Sequence, residues 1–278
     1  MKLASVEYNG KTLVGIIEDK VRILDVPDMH SLIERGLRDL ESIEVRTLEL
    51  DDVKILAPIV HPKQDIICLG MNYLDHEKES AAFDGKTFEK KSDNVYFSKR
   101  VNRAPGPGAT IPSHRDITEC LDYEVELAVI LGEDLYKAAK EQTYQAIFGY
   151  TILNDITARD IQRRHLQFYA GKSLEDSCPM GPWIVTADEF SEEPDLRIRT
   201  FVNGELRQES RTSLLLSNIG EILEELSSYM LLKKGTIIAT GTPAGVGMGF
   251  TPPKYLKPGD EVRCEIEGIG ELTTFIGD

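Results

Sequence analysis

Short runs rich in apolar and β-branched residues, separated by tight-turn dipeptides, open the chain and predict strands. Lys2–Tyr8 and Lys11–Ile17 flank Asn9-Gly10, a pair that tolerates the backbone of a two-residue hairpin. Glu18-Asp19-Lys20 turns the chain again into Val21–Val26. The period then lengthens, and Leu32, Ile33, Leu37 and Leu40 are expected to face inward from a short amphipathic helix. Pro58 and His61-Pro62-Lys63 punctuate the sequence. A boundary is expected there, between a small β-rich amino-terminal domain over 1–60 and a main domain over 64–278.

The main part mixes both periods and reads as α+β. Asp65–Leu69 is a short apolar strand, and Gly70-Met71-Asn72-Tyr73 turns into a helix with Asn72 as its candidate cap. Residues 84–93 are polar and charged and read as a loop placed to act as a lid. Asn94–Ser98 is a strand, and Leu121 to Gly132 is another. The latter turns apolar on both faces and so enters the interior. A helix over Lys137–Ala146, a strand over Phe148–Leu153 and a helix opened by Thr157, with Asp160 in capping-box spacing, follow. Ile198–Val202 and Glu205–Gln208 flank Asn203-Gly204, another hairpin signal. Ile219, Ile222, Leu223 and Leu226 share one face of a helix from Asn218 to Met230, with Glu221 in capping position. Thr236–Thr240 leads into the glycine-rich stretch 241–247, whose spacing is not a dinucleotide fingerprint and which Pro252-Pro253 follows in place of a helix. Its glycines point to close backbone approach to a small ligand, or to a tight turn. Glu261–Ile266 and Glu271–Ile276 close the chain.

Composition narrows the function classes. The 278 residues carry a formal charge of −15, which argues against nucleic acid or an anionic membrane as partner. A small anionic substrate stays open, because a metal and a few basic side chains reverse the sign locally. No apolar run is long enough to span a bilayer, and the amino terminus has no signal-peptide core, so a cytoplasmic protein is expected. Cys68, Cys120, Cys178 and Cys264 have no paired spacing, and reduced thiols are the default.

Candidate chemistry gathers at four places. Glu124 and Glu126 point to the same side of their strand, and two carboxylates one pleat apart resist burial unless a cation lies between them. Either they bind a divalent metal through oxygen, or the strand is a solvated edge with its glutamates in water. His76 and Glu79, at i and i+3, form either an oriented general base or an exposed pair on a charged helix. Asp155 sits at a strand-to-helix turn, as ligand or as cap. Lys172 lies between small residues beside an aromatic and proline-rich turn, drawn inward or simply solvated.

Together these residues resemble the fumarylacetoacetate hydrolase family. The resemblance rests on Ile67–Tyr73 with His76 and Glu79, Asp122–Ala128, Asn154–Gln162, Gly171-Lys172-Ser173, Val202-Asn203-Gly204 and Thr240-Gly241-Thr242-Pro243, in the family's order. It implies a mixed sheet rolled into a barrel-like core with peripheral helices, a variable amino-terminal extension, and a homodimer. It implies that Glu124, Glu126 and Asp155 bind Mg²⁺ or Mn²⁺, that His76 and Glu79 form the catalytic dyad, and that Lys172 is the active-site lysine. Thr242 falls where the family holds substrate oxygens, and Arg159 and Gln162 line the pocket. The chain follows the shorter bacterial pattern, which points away from fumarylacetoacetate itself. The implied activity is hydrolysis of a C–C bond in an acylpyruvate-like 2,4-dioxo acid, with His76 activating water and pyruvate leaving as an enolate. Oxaloacetate decarboxylation and 2-oxo acid isomerisation or tautomerisation use the same enolate and stand as alternatives. A metal-stabilised binding protein without turnover is the non-enzymatic rival.

Overall fold

The computed structural model describes residues 1–85, 87 and 93–278. The loop expected over 84–93 falls largely on 86 and 88–92, so its role as a lid lies outside the described residues. In chain order the strands are β1 (Lys2–Tyr8), β2 (Lys11–Ile17), β3 (Lys20–Leu24), β4 (Glu44–Glu49), β5 (Lys54–Ile55), β6 (Ile66–Gly70), β7 (Val95–Lys99), β8 (Thr110–Ile111) and β9 (Leu121–Asp122). They continue with β10 (Val125–Leu131), β11 (Ile147–Asn154), β12 (Thr157–Ala158), β13 (Met180–Thr186), β14 (Arg197–Val202), β15 (Glu205–Arg211), β16 (Ile237–Ala239), β17 (Glu261–Ile266) and β18 (Gly270–Ile276). The helices are α1 (Met29–Arg35), α2 (Leu74–Phe83), α3 (Lys140–Thr143), α4 (Arg159–Arg164), α5 (Tyr169–Lys172) and α6 (Ile219–Tyr229).

Most strands join one 11-stranded sheet in the order β4-β3-β2-β1-β13-β11-β10-β16-β6-β7, with β5 on β1. A second, 5-stranded sheet runs β15-β14-β17-β18-β8, and β12 pairs with β9 alone. Pairing is mostly antiparallel, with β16 parallel to β6 and β18 parallel to β8. The large sheet runs from β4 to β7 without returning, so the barrel-like closure expected from the sequence is absent among the described residues: β1 extends the β13 edge and leaves the sheet open.

β10 lies between β11 and β16, and all its residues are buried, which explains a run that is apolar on both faces. Val125, Leu127, Val129 and Leu131 face a core shared with Ile222, Leu223 and Leu226 of α6 and with Ile198, Val262 and Ile266 of the smaller sheet. Ala128 and Ile130, on the glutamate side, pack with Leu3, Ile16, Leu32, Ile33 and Ile66. The amino-terminal strands, expected as a small domain over 1–60, join the large sheet. They hydrogen-bond β13 through Leu3 opposite Ile184 and complete a core that β10 cannot bury alone.

Local expectations meet mixed outcomes. α6 carries its capping box, with Asn218 accepting from Glu221 N at 2.9 Å and the Glu221 side chain returning to Asn218 N, and its apolar face is buried. The helix expected over Lys137–Ala146 is reduced to α3 and a 3-10 turn, since Lys137 takes a left-handed φ of 51° and cannot lead a helix. Asn72 is not a cap; Tyr73 holds that position, and Asn72 bonds the backbone of Ser217 and Thr240. Thr157 does not open a helix either: it is extended, opposite Asp122, and α4 starts at Arg159. The single strand expected from Leu121 to Gly132 splits at Tyr123-Glu124 into β9 and β10.

A substitution at the β1 junction tests this continuity. Leu3→Ala is expected to cost about 2–5 kcal/mol in urea unfolding, with circular dichroism and fluorescence of the sole tryptophan, Trp183 in β13, changing in one transition. A separate, earlier amino-terminal transition would contradict the shared core.

Candidate active site

The register between β10 and β11 builds the first half of the site. Val125 stands opposite Asn154, so the chain leaves β11 beside Glu124, and Asp155 N donates to Glu124 O at 2.8 Å. Glu124, Glu126 and Asp155 are 4 %, 1 % and 0 % exposed, which rules out the solvated-edge alternative. Their carboxylates offer oxygens that all lie within 4.8 Å of one another. Burial and the neighbouring Asp155 and Glu124 anions push the Glu126 carboxyl well above the ordinary range. Burial pushes Glu124 up as well, but Lys172 and Arg159 more than cancel that and hold it down to about 2.

Cations surround the triad. Lys172 Nζ lies 2.6 Å from both Glu124 Oε2 and Asp155 Oδ2, so it is buried rather than solvated. Its path inward depends on Gly171, where a Cβ would come within 2.5 Å of Gln162 N. Arg159 Nη1 meets Glu124 Oε1 at 2.6 Å and Gln162 Oε1 at 3.2 Å, while Nε donates to Asp122 at 2.8 Å. Lys99, fully buried at the end of β7, donates to Ile156 O, Ser177 Oγ and Lys172 O. Its Nζ stands 2.8 Å from Asp155 Oδ1 without making a hydrogen bond to it, so that oxygen keeps its lone pairs uncommitted. Three buried carboxylates whose oxygens converge, one of them with no hydrogen bond, fit a divalent cation of the oxygen-binding class.

The second half of the site comes from α2 and the glycine-rich loop. His76 is buried, and its Nδ1 lies 3.0 Å from Glu79 Oε2. A carboxylate only accepts, so Nδ1 carries the proton and Nε2 is the nitrogen with a free lone pair. Glu79 Oε1 in turn accepts from Gly245 N at 2.9 Å. Gly245 has φ 102°, and a Cβ there would run into Arg207 O, so the turn that presents this N–H requires glycine. Gly241 N donates to Glu126 Oε2 at 2.8 Å, and Thr242 Oγ1 accepts from Gln208 Nε2 at 2.7 Å. The loop closely approaches these carboxylates. His76, Glu124, Arg159, Gln162, Lys172 and Thr242 all line one cleft of about 230 Å³, with Phe97 and Phe168 on its apolar wall.

The family profile described as "Fumarylacetoacetate (FAA) hydrolase C-terminal" matches residues 65–276. The chain belongs to the fumarylacetoacetate hydrolase family. It is 40% identical to oxaloacetate tautomerase YisK of Bacillus subtilis over 100% of both chains. The solved structure of a fumarylacetoacetate hydrolase from Exiguobacterium antarcticum superposes with a TM-score of 0.87 at 41% identity, covering 100% of this chain and 99% of that one. A 5-carboxymethyl-2-hydroxymuconate delta-isomerase from Mycobacterium smegmatis does so at 0.80 and 34%, with 100% and 99% covered. The family match starts at residue 65, so the amino-terminal strands share the sheet while lying outside the matched segment.

Sequence reading did not single out Lys99 or give Asp122 a role. Lys99 lay in a strand pattern with nothing to mark burial, and Asp122 sat beside the two glutamates that drew the attention. The cysteines add no chemistry: burial pushes the Cys178 and Cys264 thiols up to about 12 and raises Cys68 and Cys120 as well. No helix among the described residues is long and apolar enough to cross a membrane.

Lys99→Met should lower stability by about 3–5 kcal/mol, measured by urea unfolding in EDTA, because it removes one of the two cations paired with Asp155 and the ammonium donor of two buried carbonyls. A loss below about 1 kcal/mol would mean the ion pair is dispensable. Burial and two anionic neighbours favour the protonated Glu126 carboxyl, so a cation bound there would compete with a proton. Affinity for Mn²⁺ should therefore tighten as pH rises above the ordinary glutamate range, by up to about tenfold per unit, and Glu126→Gln should flatten that dependence.

Proposed function

We propose that the protein is a divalent-metal-dependent enzyme that moves a proton on a small anionic 2-oxo acid, with oxaloacetate as substrate and keto–enol tautomerisation as the reaction. The observation that carries this reading is the shared cleft: buried carboxylates on one side and a glutamate-oriented histidine on the other. The full-length relative named as an oxaloacetate tautomerase, and the neighbour named as an isomerase, support proton transfer over bond cleavage.

Glu124, Glu126 and Asp155 would hold Mg²⁺ or Mn²⁺, and the bound ion would supply Lewis-acid polarisation of the 2-oxo carbonyl. His76 Nε2 takes a proton from C3, the C–H electrons form the C2–C3 double bond, and the carbonyl π pair moves to oxygen. His76 then returns its proton to that oxygen, giving the enol with no change in mass. Glu79 keeps the ring in one tautomer through both transfers. Lys172 and Arg159 bring positive charge to the carboxylate end of the substrate, and Arg159 Nη2 has no partner among the described residues. Gln162 and Thr242 offer polar contacts, and Phe97 and Phe168 exclude water from one side. A cytoplasmic homodimer is part of the same proposal.

The Exiguobacterium neighbour is named a hydrolase, which supports a second reading, C–C bond hydrolysis, on this chain of an acylpyruvate, in which His76 takes its proton from water. One experiment separates the readings. Oxaloacetate and acylpyruvates are incubated with Mg²⁺ or Mn²⁺, following enol absorbance, pyruvate and CO₂ separately, together with C3 exchange in D₂O. Fast enol interconversion and C3 deuteration without pyruvate is the expected result. His76→Gln should lower kcat by about 10²–10⁴-fold while metal affinity is kept. Pyruvate with CO₂ would make the protein a decarboxylase, and two acids a hydrolase. Metal-dependent melting with no turnover would leave a binding protein.

A further inference from the structure

We infer that Asp122 is a positioning residue that holds the substrate-binding Arg159 and the Glu79–His76 base in one frame. Asp122 is fully buried, lies outside the acidic triad and does not line the cleft. Its side chain accepts from three directions. Oδ2 takes Arg159 Nε at 2.8 Å and Met248 N at 3.0 Å; Oδ1 takes Gly247 N at 2.7 Å and Tyr123 N at 3.0 Å.

The first direction fixes Arg159. With Nε anchored, the planar guanidinium cannot rotate, so Nη1 meets Glu124 and Gln162 while Nη2 is left unpartnered on a residue of the cleft wall. The second direction fixes the loop. Pinning Gly247 and Met248 sets the turn in which Gly245 N donates to Glu79 and Gly249 lies so close that a Cβ would strike the Glu79 carboxylate. Glu79 then orients His76. A carboxylate serving only as a salt-bridge partner needs no backbone amides; Asp122 gives two of its bonds to a loop whose Met248 faces the cleft. The inference rests on the proposed function only in taking Arg159 as a ligand of the substrate's carboxylate.

Two variants test it in the full-length protein. Asp122→Asn keeps the shape but turns an N–H toward a donor, either Arg159 Nε or a loop amide, and removes the charge. Oxalate, a planar dianion resembling the carboxylate end of an enolised 2-oxo acid, is the binding probe on Mn²⁺-loaded protein, with Mn²⁺ affinity read separately by electron paramagnetic resonance. The expected result for Asp122→Asn is oxalate binding weakened and KM for oxaloacetate raised by about tenfold, kcat lowered by between about tenfold and a hundredfold, and Mn²⁺ affinity unchanged. Gly247→Ala would place a Cβ against Lys254 O and 2.6 Å from Asp122 Oδ1, disturbing the loop while keeping the Asp122 charge. It should lower kcat by more than it weakens oxalate binding. A folded Asp122→Asn protein with wild-type oxalate affinity, KM and kcat overturns the inference. If that variant does not fold, a Gly247→Ala protein with wild-type kcat overturns it. Failure of the wild type to act on any 2-oxo acid would sink the proposed reaction instead, and the oxalate measurement would still decide the role of Asp122.

Discussion

Three carboxylates held together in a dry interior repel one another, and their charge has to be met by cations that reach the same place. The fold is arranged around that requirement. β10 and the residue that leads into it deliver Glu126 and Glu124 to the interior because the strand is flanked on both sides, and the β11 register brings Asp155 beside them. Lys172, Lys99 and Arg159 arrive from three separate elements, none adjacent to β10 in sequence. The balance is incomplete at Glu126, whose carboxyl burial and its anionic neighbours push upward, and at Asp155, where one oxygen has charge beside it but no hydrogen bond. These are the places where a further cation fits.

The glycine-rich loop gives the site its second organising feature. Its backbone N–H groups reach carboxylates on three different elements: Gly241 to Glu126, Gly245 to Glu79, and Gly247 with Met248 to Asp122. Such contacts need a backbone without side chains in the way, which is why glycine recurs at that spacing. The loop thereby ties Glu126 on β10 to the helix that carries Glu79 and His76. Its role is to set distances between groups, and its glycines are used on protein carboxylates.

A chain with a formal charge of −15 nevertheless concentrates buried cations beside its cleft. Membership in the fumarylacetoacetate hydrolase family places this arrangement among enzymes whose names span hydrolase, isomerase and tautomerase.

Several things were legible in the sequence alone. The hairpin at Asn9-Gly10, the amphipathic α6 with its Asn218–Glu221 box, and the spacings that put Glu124 with Glu126 and His76 with Glu79 are local, set by turn chemistry and by periods of two and of 3.6 residues. Other features depend on partners distant in the chain. Leu3 meets Ile184 and so joins the amino-terminal strands to the large sheet; Thr157 is drawn into a strand by Asp122; Lys99 is buried because Asp155 and Ile156 close over it. A sequence carries the charge of Lys99 or Asp122 but not what surrounds it. Burial and hydrogen-bond partners belong to the assembled fold, because they depend on segments that only folding brings within a few ångströms of one another.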